Sequence, residues 1–399
     1  MKILVLNTGS SSYKSCLYDL SDGALPANAP VPLWQAQLEG THLKIVVAGK
    51  TIEKEINAAP SASIKQMLET IWSGENRVLN SPSEIDMVGH RVVHGGSEYR
   101  KSTFITADVK STIARLADLA PAHNPASLRG IEVVESLLKN VPQMAVFDTA
   151  FHSDIPDAAA IYPGPYEWID QGIRRYGFHG INHEYCAGRA AQILQKDLSS
   201  LRLISCHLGN GCSLAAIKNG RSVDTTMGFT PLEGLMMGTR SGSIDPGIIL
   251  YLLHQGVAAT EIDHILNQQS GLKGISGGSG DMREITASIA KGEKRAQLAF
   301  DIYAHRLRSY IGAMLASLRG LDALIFTAGV GENSAPLRAA VCEGFAFLGM
   351  KIDTTKNENK PVDADIATPD SRIRILVIQA QEDWAIAREC FSLQLRAKR

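Results

Sequence analysis

Two hundred residues apart, the chain repeats one short pattern. It opens MKILVLNTGSSSYKSCLYDL, and RLISCHLGNGCSLAAIKNGRSV follows from Arg202. Each stretch reads as an apolar strand, a polar residue–x–glycine, small residues, a second strand and a turn signal. That signal is Asp22-Gly23 in the first copy and Asn219-Gly220 in the second, and Asn7-x-Gly9 stands where His207-x-Gly209 stands. The simplest source of such a pattern is two related domains, each opening on a glycine-rich hairpin. A length of 399 residues also exceeds what one compact core organises. The crossing falls near residues 148–155, just after Asp148 ends an apolar strand.

Further runs support an α/β architecture. Strands are expected at Ile3–Leu6, Ser15–Leu20, Ile45–Val47, Met87–Val93, Met144–Phe147, Arg202–Cys206, Leu214–Ile217, Ala323–Phe326 and Arg374–Ile378. Between them, 124–139 carries Leu128, Ile131, Val134 and Leu138 on one helical stripe, with Asn124 placed to cap and Pro125 in the first turn. A longer helix spans 295–319 and ends at Gly320. Strands mixed with helices in this way argue for packed α/β layers.

Charge sharpens the question of ligands. The net charge of -1 gives no global field for nucleic acid or an anionic membrane, so an anion must be caught by local positive groups. Six cysteines, with no C-x-x-C and no paired histidine spacing, argue against a zinc site and a disulfide framework and fit buried thiols in a reducing cytoplasm. The few apolar residues before Asn7 are too short for a secretory signal, and no run is long enough to span a membrane.

Glycines at such turns admit positive φ and let backbone N–H groups approach a ligand unobstructed. With serine hydroxyls beside them they form a concavity suited to phosphate oxygens. A plain hairpin turn uses the same residues. A third loop, T-A-G-V-G-E-N-S after Ala323–Phe326, has Ser334 or Asn333 placed to cap a helix with Pro336 in its first turn, a ready anion or ribose site. Three such loops at strand ends point to a nucleotide polyphosphate. There is no G-x-x-x-x-G-K-[ST] and no G-x-G-x-x-G after a strand, so the P-loop and Rossmann readings fail.

The motifs NTGSSSxK, RVVHGG, PAHNP, FDTAFH, RYGFHG, HxGNGxS, GTRSGxIDPG, SGDMRE and GxGEN together resemble the acetate kinase family of carboxylate kinases, in the superfamily of actin, hexokinase and the heat-shock ATPases. The resemblance covers essentially the whole chain. It implies two similar actin-like (ribonuclease H-like) domains of mixed sheets flanked by helices, with the active site in the interdomain cleft. The first, 1–150, is the carboxylate side and is joined by the C-terminal helix 384–399. The second, 151–383, binds the nucleotide. The implied reaction is reversible in-line transfer of the γ-phosphoryl of ATP to acetate in a cytoplasmic homodimer, with propionate as a secondary substrate.

The same resemblance assigns roles. Arg91 is assigned to the carboxylate substrate, Arg240 to substrate and transition state, and His179 to the equatorial oxygens of the phosphoryl group in flight. From the residues alone, each arginine either pairs with a nearby carboxylate or clamps a planar anion bidentately. Asp148 is an implied active-site residue. A carboxylic acid of pKa near about 4 to 5 is already ionised, so Asp148 is expected to orient Mg²⁺-bound water or the acceptor, not to remove a proton. His152 and Asp154 are read as structural.

Asn7 and Glu382 are the implied holders of Mg²⁺ (or Mn²⁺), which keeps several waters and needs only one or two protein groups. Lys14 and Ser12 are assigned to the nucleotide phosphates. The nucleotide itself falls to His207, Leu208, Gly209, Asn210 and Gly211, to Asp281, Met282 and Arg283, and to Gly329, Val330, Gly331, Glu332 and Asn333. Arg283 is expected against the adenosine, and Gly331 is expected to let it lie close to the backbone. Val93, Ala122, Phe178 and Pro231 wall the methyl pocket. Ala122 stands where relatives commonly carry leucine, Ala328 where they carry glycine, and Gln379-Ala380 where they carry Pro-Thr. A propionate or butyrate kinase is the nearest alternative, and an actin- or chaperone-like ATPase is the alternative of a different class.

Overall fold

The computed structural model describes residues 1–9, 12–20, 25–121 and 123–397. Ser10, Ser11, the Asp22-Gly23 turn and Ala122 lie outside the described residues. The chain divides into two compact units, Met1–Ala150 with Gln381–Arg399, and Phe151–Ala380.

The first unit holds an eight-stranded sheet. Its strands are β1 (Lys2–Thr8), β2 (Ser12–Asp19), β3 (Trp34–Glu39), β4 (His42–Val47), β5 (Lys50–Glu55), β6 (Met87–Val92), β7 (Thr103–Phe104) and β8 (Gln143–Phe147), in the order β5-β4-β3-β2-β1-β6-β8-β7. The second unit holds β9 (Arg202–Leu208), β10 (Cys212–Lys218), β11 (Arg221–Thr225), β12 (Ala323–Thr327), β13 (Ala364–Asp365) and β14 (Arg374–Val377), in the order β11-β10-β9-β12-β14-β13.

The two orders share one six-strand core, and the first sheet adds β4 and β5 at its edge. Each sheet has an antiparallel run whose first strand pairs in parallel with β6 or β12, that strand with β8 or β14, and a two-residue strand closes the edge antiparallel. The run is β1, β2 and β3 extended by β4 and β5 in the first sheet, and β9, β10 and β11 alone in the second. The parallel centre must be covered on both faces, so β1, β6, β8, β12 and β14 read as nearly continuous apolar runs. Leu4, Val5, Val88, Ala145, Ile325 and Leu376 are fully buried there.

The helices around these sheets include α1 (Asn124–Leu137), α2 (Gly180–Leu194), α3 (Pro246–His254), α4 (Met282–Ala290), α5 (Lys294–Leu318), α6 (Ala328–Asn333), α7 (Ala335–Glu343) and α8 (Glu382–Ala397). Pro125 sits in the first turn of α1 as expected. Asn124 does not cap it. His123 holds the cap position, and the buried Asn124 amide instead donates to the carbonyls of His94 and Ile113 and accepts from the His94 N–H. The expected glycine loop after β12 is itself helical. Ala328 turns into α6 in the left-handed region at φ 63°, and Ser334 leads into α7 without a side-chain cap. Among the described residues no helix is long and apolar enough to cross a membrane.

Candidate active site

Parallel strands present their carboxyl ends along one edge of a sheet, where backbone hydrogen bonding stops and side chains turn outward. In the first unit, adjacent strands β1, β6 and β8 bring Asn7, Arg91 and Asp148 to that edge. The Arg91 guanidinium donates from Nη2 to Asp148 Oδ2 at 2.6 Å and from Nε to both carboxylate oxygens at 3.2 and 3.1 Å. Its Nη1 donates to Asn7 Oδ1 at 3.1 Å and lies 3.8 Å from Glu382 Oε2. The Asn7 amide nitrogen in turn donates to Glu382 Oε2 at 3.2 Å and Asp383 Oδ1 at 3.1 Å.

Burial opposes the charge on Arg91, but Asp148, Glu382 and Asp383 more than offset that cost and raise its pKa above the ordinary value. Asp383 is half-buried, and loss of solvent pushes its carboxyl up although Asn7 donates to it. The fork of Arg91 is therefore engaged by the Asp148 carboxylate. The resemblance named Glu382 and passed over Asp383. An acid two residues past Gln381 at a helix start reads as a dipole partner, and nothing in the sequence sets it opposite Asn7.

The hairpin register brings Lys14 opposite Asn7, with the lysine side chain exposed. Gly9 N–H donates to the Ser12 carbonyl at 2.8 Å, closing the turn. Glu382 offers a hard oxygen beside the Asn7 amide, whose oxygen faces Arg91 and whose nitrogen faces Glu382; with that amide turned over, the pair fits a magnesium ion retaining most of its waters. Among the described residues no group of three or more His, Cys, Asp or Glu is arranged around a metal position.

In the second unit the equivalent edge is almost free of charge. His207 ends β9 where Asn7 ends β1, and Thr327 ends β12 where Arg91 lies in β6. His179, in the left-handed region at φ 57°, precedes α2. Its ring stacks on His207 with centroids 4.0 Å apart and planes at 12°. Arg240 reaches the Pro231 carbonyl at 3.4 Å and the Met237 sulfur at 4.0 Å. Burial lowers its pKa, and among the described residues it makes no salt bridge. A Cβ on Gly211 would lie 3.5 Å from Arg240 Nη1 and 3.6 Å from His179 Nε2. Glycine there keeps open a point that both donors face.

A cavity of about 810 Å³ adjoins this edge, lined by Gly209 and Asn210, by Gly280 to Arg283 with Thr286, and by Gly329, Val330, Asn333, Ser334 and Pro336. Its size suits a nucleoside. Asp281 caps α4, its carboxylate accepting from the Arg283 N–H at 2.8 Å, and it also engages the exposed Arg283 guanidinium. Sequence reasoning misses Thr286 in this lining, since a hydroxyl one turn inside a helix gives no signal of facing a cavity.

Three expected nucleotide residues face elsewhere. Leu208 is fully buried in β9. The missing Cβ of Gly331 points at the Phe326 carbonyl carbon, 3.3 Å away, so this glycine serves close packing of α6 on β12 instead of ligand approach. Glu332 Oε1 accepts from the Ala380 N–H at 2.8 Å. In the expected methyl wall, Val93 and Phe178 are buried and Pro231 is half-buried. His152 is structural as expected, bridging Ser222 Oγ at 2.8 Å and the Phe178 carbonyl at 3.1 Å.

Two sheets with a common six-strand core, flanked by helices, define an actin-like α/β protein, with ionic groups on one sheet edge and glycines and histidines on the other. Residues 2–388 match the Acetokinase family. An acetate kinase from Nostoc punctiforme is 61% identical over 402 residues, covering 98% of this chain and 99% of its own. The crystal structure of Porphyromonas gingivalis acetate kinase superposes with a TM-score of 0.90 at 38% identity, covering 98% of this chain and 99% of that one. A propionate kinase from Francisella tularensis gives 0.89 at 39% identity, covering 97% and 98%. The chain belongs to the acetokinase family, the acetate kinases.

Proposed function

We propose that this protein transfers the γ-phosphoryl group of ATP to acetate, giving acetyl phosphate and ADP, in either direction. The single observation that carries this reading is the 61% identity, over nearly the full length of both chains, to a relative named acetate kinase. One acetate oxygen attacks the γ-phosphorus, the bond to the β,γ-bridging oxygen breaks, and that oxygen leaves with ADP. No proton need move, because the acid is already ionised at neutral pH.

The chain's own groups then have to place the acceptor and offset charge spread over three equatorial oxygens. Arg91 holds the acceptor carboxylate, and Asp148 holds Arg91: three N–H contacts to one carboxylate leave the guanidinium plane a single orientation. Arg240 and His179 donate to the phosphoryl oxygens, and the absence of a described carboxylate on Arg240 leaves its fork for an anion. Lys14 and Ser12 act on the phosphates, and the 810 Å³ cavity takes the adenosine. Asn7 and Glu382 would hold Mg²⁺, which when bound neutralises phosphate charge. In this division the first unit serves the carboxylate, the metal and the nucleotide phosphates, and the second the adenosine and the phosphoryl group in flight.

Ala122 sets chain length. Alanine for leucine removes about three carbon atoms of wall, and one substrate methylene is worth about 1–3 kcal/mol, so propionate is a competent second substrate. A homodimer is the assembly proposed, supported by α3: none of its residues is buried, and Ile248, Leu250, Tyr251 and Leu253 are 42–63% exposed. Six free, buried cysteines fit a cytoplasmic location.

Trapping acyl phosphate with hydroxylamine, with ATP, Mg²⁺ and a panel of short acids, tests the reaction. Hydroxamate from acetate and propionate but none with glycerol or glucose is expected. No product from any acid would overturn the reading.

A further inference from the structure

We propose that the first turn of α2 fixes where the protons sit on the two stacked imidazoles. Asn182 sets His207, and His183, acting through Ser213, sets His179, so that each ring is neutral and presents an N–H at Nε2. This rests on the kinase reading, in which His179 donates to the phosphoryl group.

The geometry leaves few arrangements. His183 is fully buried, and both of its ring nitrogens meet serine hydroxyls: Nδ1 lies 2.9 Å from Ser205 Oγ and Nε2 lies 2.8 Å from Ser213 Oγ. Ser213 Oγ also lies 2.9 Å from His179 Nδ1. Burial holds the His183 pKa well below the usual value, helped by His152 and His207 edge-on at 5.7 and 6.2 Å, so His183 carries one ring proton. Each serine hydroxyl carries one as well.

Protons can therefore run along this chain in only two directions. In one, Ser205 donates to His183 Nδ1, His183 Nε2 donates to Ser213, and Ser213 donates to His179 Nδ1. That leaves the His179 proton on Nε2. In the other, every bond reverses and His179 spends its Nδ1 proton on Ser213. A donor at Nε2 then requires an imidazolium. A second positive charge there is disfavoured by Arg240, whose Nη1 faces the same point above Gly211 as His179 Nε2. The first direction is the one compatible with a neutral donor.

His207 is set independently by the residue one position earlier. Asn182 Nδ2 donates to His207 Nδ1 at 2.9 Å and contacts Thr327 Oγ1 at 3.4 Å. Cys186 donates its S–H to Asn182 Oδ1 at 3.7 Å, which holds the amide in that orientation. With Nδ1 accepting, the His207 proton sits on Nε2, the atom 3.6 Å from where a Cβ on Gly209 would be. Asn182 and His183 are consecutive residues in the first turn of α2, directly after His179, so a single turn orders both rings. Asn182, His183 and Ser213 are positioning residues.

The test reads the rings directly. Two-bond ¹H–¹⁵N spectra of the full-length ¹⁵N-labelled protein at pH 7.5, without nucleotide, are expected to show His179 and His207 as the Nε2–H tautomer. In Ser213→Ala the His179 pattern should move towards the Nδ1–H form and kcat should fall about tenfold or more. Ser213→Thr, which keeps the hydroxyl, should restore both. A wild-type His179 protonated at Nδ1 or at both nitrogens overturns the proposal even if Ser213→Ala fails to fold, and so does an unchanged ring in a folded Ser213→Ala. Failure of the kinase reading is seen separately, as absence of acyl phosphate from the wild-type enzyme.

Discussion

Arg91 and Asp148 form a buried pair in which one carboxylate takes both Nε and Nη2 of the guanidinium, with the Asp148 side chain 1% exposed and that of Arg91 13%. Such a pair is strongly coupled, because neither charge has bulk water to fall back on. Asp148→Asn keeps the shape but swaps an acceptor for a donor that faces Arg91. Arg91 would then rotate towards Glu382, 3.8 Å away. We expect kcat to fall about 10²-fold or more, by loss of a pre-placed charge, with the KM for ATP within about twofold of wild type. Steady-state kinetics decide it, and near-normal turnover rules out an orienting role for Asp148.

Ala328 carries a strain that glycine would release. Its φ of 63° lies in the left-handed region, where a Cβ crowds the following carbonyl, at a cost of about 1–2 kcal/mol. The turn from β12 into α6 demands that conformation. Ala328→Gly should raise stability by about 1 kcal/mol, net of the added freedom of the unfolded chain. Urea unfolding measures it. A lower midpoint would mean that the Ala328 methyl, 7% exposed, contributes more by packing than the backbone loses.

Much of this architecture is legible in the sequence. Asn7-x-Gly9 and His207-x-Gly209 do open equivalent hairpins, because apolar strands with a polar-x-glycine break permit little else. The strands β3, β5 and β11 are not legible in the same way, since Trp34-Gln35-Ala36-Gln37-Leu38 and Lys50–Glu55 alternate or expose their side chains and lack a continuous apolar run. Helix α2 is hidden too, and with it Asn182 and His183. Their spacing from His179 is visible, but its meaning depends on His207 and Ser213 arriving from β9 and β10. Gly331 misleads for the same reason: a glycine needed for packing and one needed for a ligand look alike until the neighbour of the absent Cβ is known.

Gly89 governs how α8 seats on the first sheet. A Cβ there would lie 2.6 Å from both Cys390 Sγ and Ile386 Cγ2, two side chains one turn apart on α8. Gly89→Ala therefore has to push the helix outward, at about 1–3 kcal/mol for overpacking. Because α8 begins with Glu382 and Asp383, that shift should also loosen the Asn7 contacts at 3.2 and 3.1 Å. A lower urea midpoint together with a higher Mg²⁺ concentration for half-maximal activity is the expected pairing. A variant of unchanged stability and unchanged Mg²⁺ requirement would show that α8 has slack.

Buried His152 should make the fold acid-sensitive. Burial, opposed by its bond to the Phe178 carbonyl, lowers its pKa from 6.5 to about 4. Between those values the unfolded chain binds a proton at this ring and the folded chain does not. Stability from His152 is therefore fully present above about pH 6.5 and is lost as pH falls towards 4, by an amount on the order of 3 kcal/mol across the window. His90, buried against Gln143 and lowered to about 4, adds a slope of the same sign. Urea midpoints of the wild type should drop between pH 7.5 and 5. In His152→Gln the absolute stability should be lower, but the drop over that range should be smaller, because one titrating ring is gone. Equal drops in the two proteins would mean that His152 is not the neutral, buried ring its bonds to Ser222 and Phe178 describe.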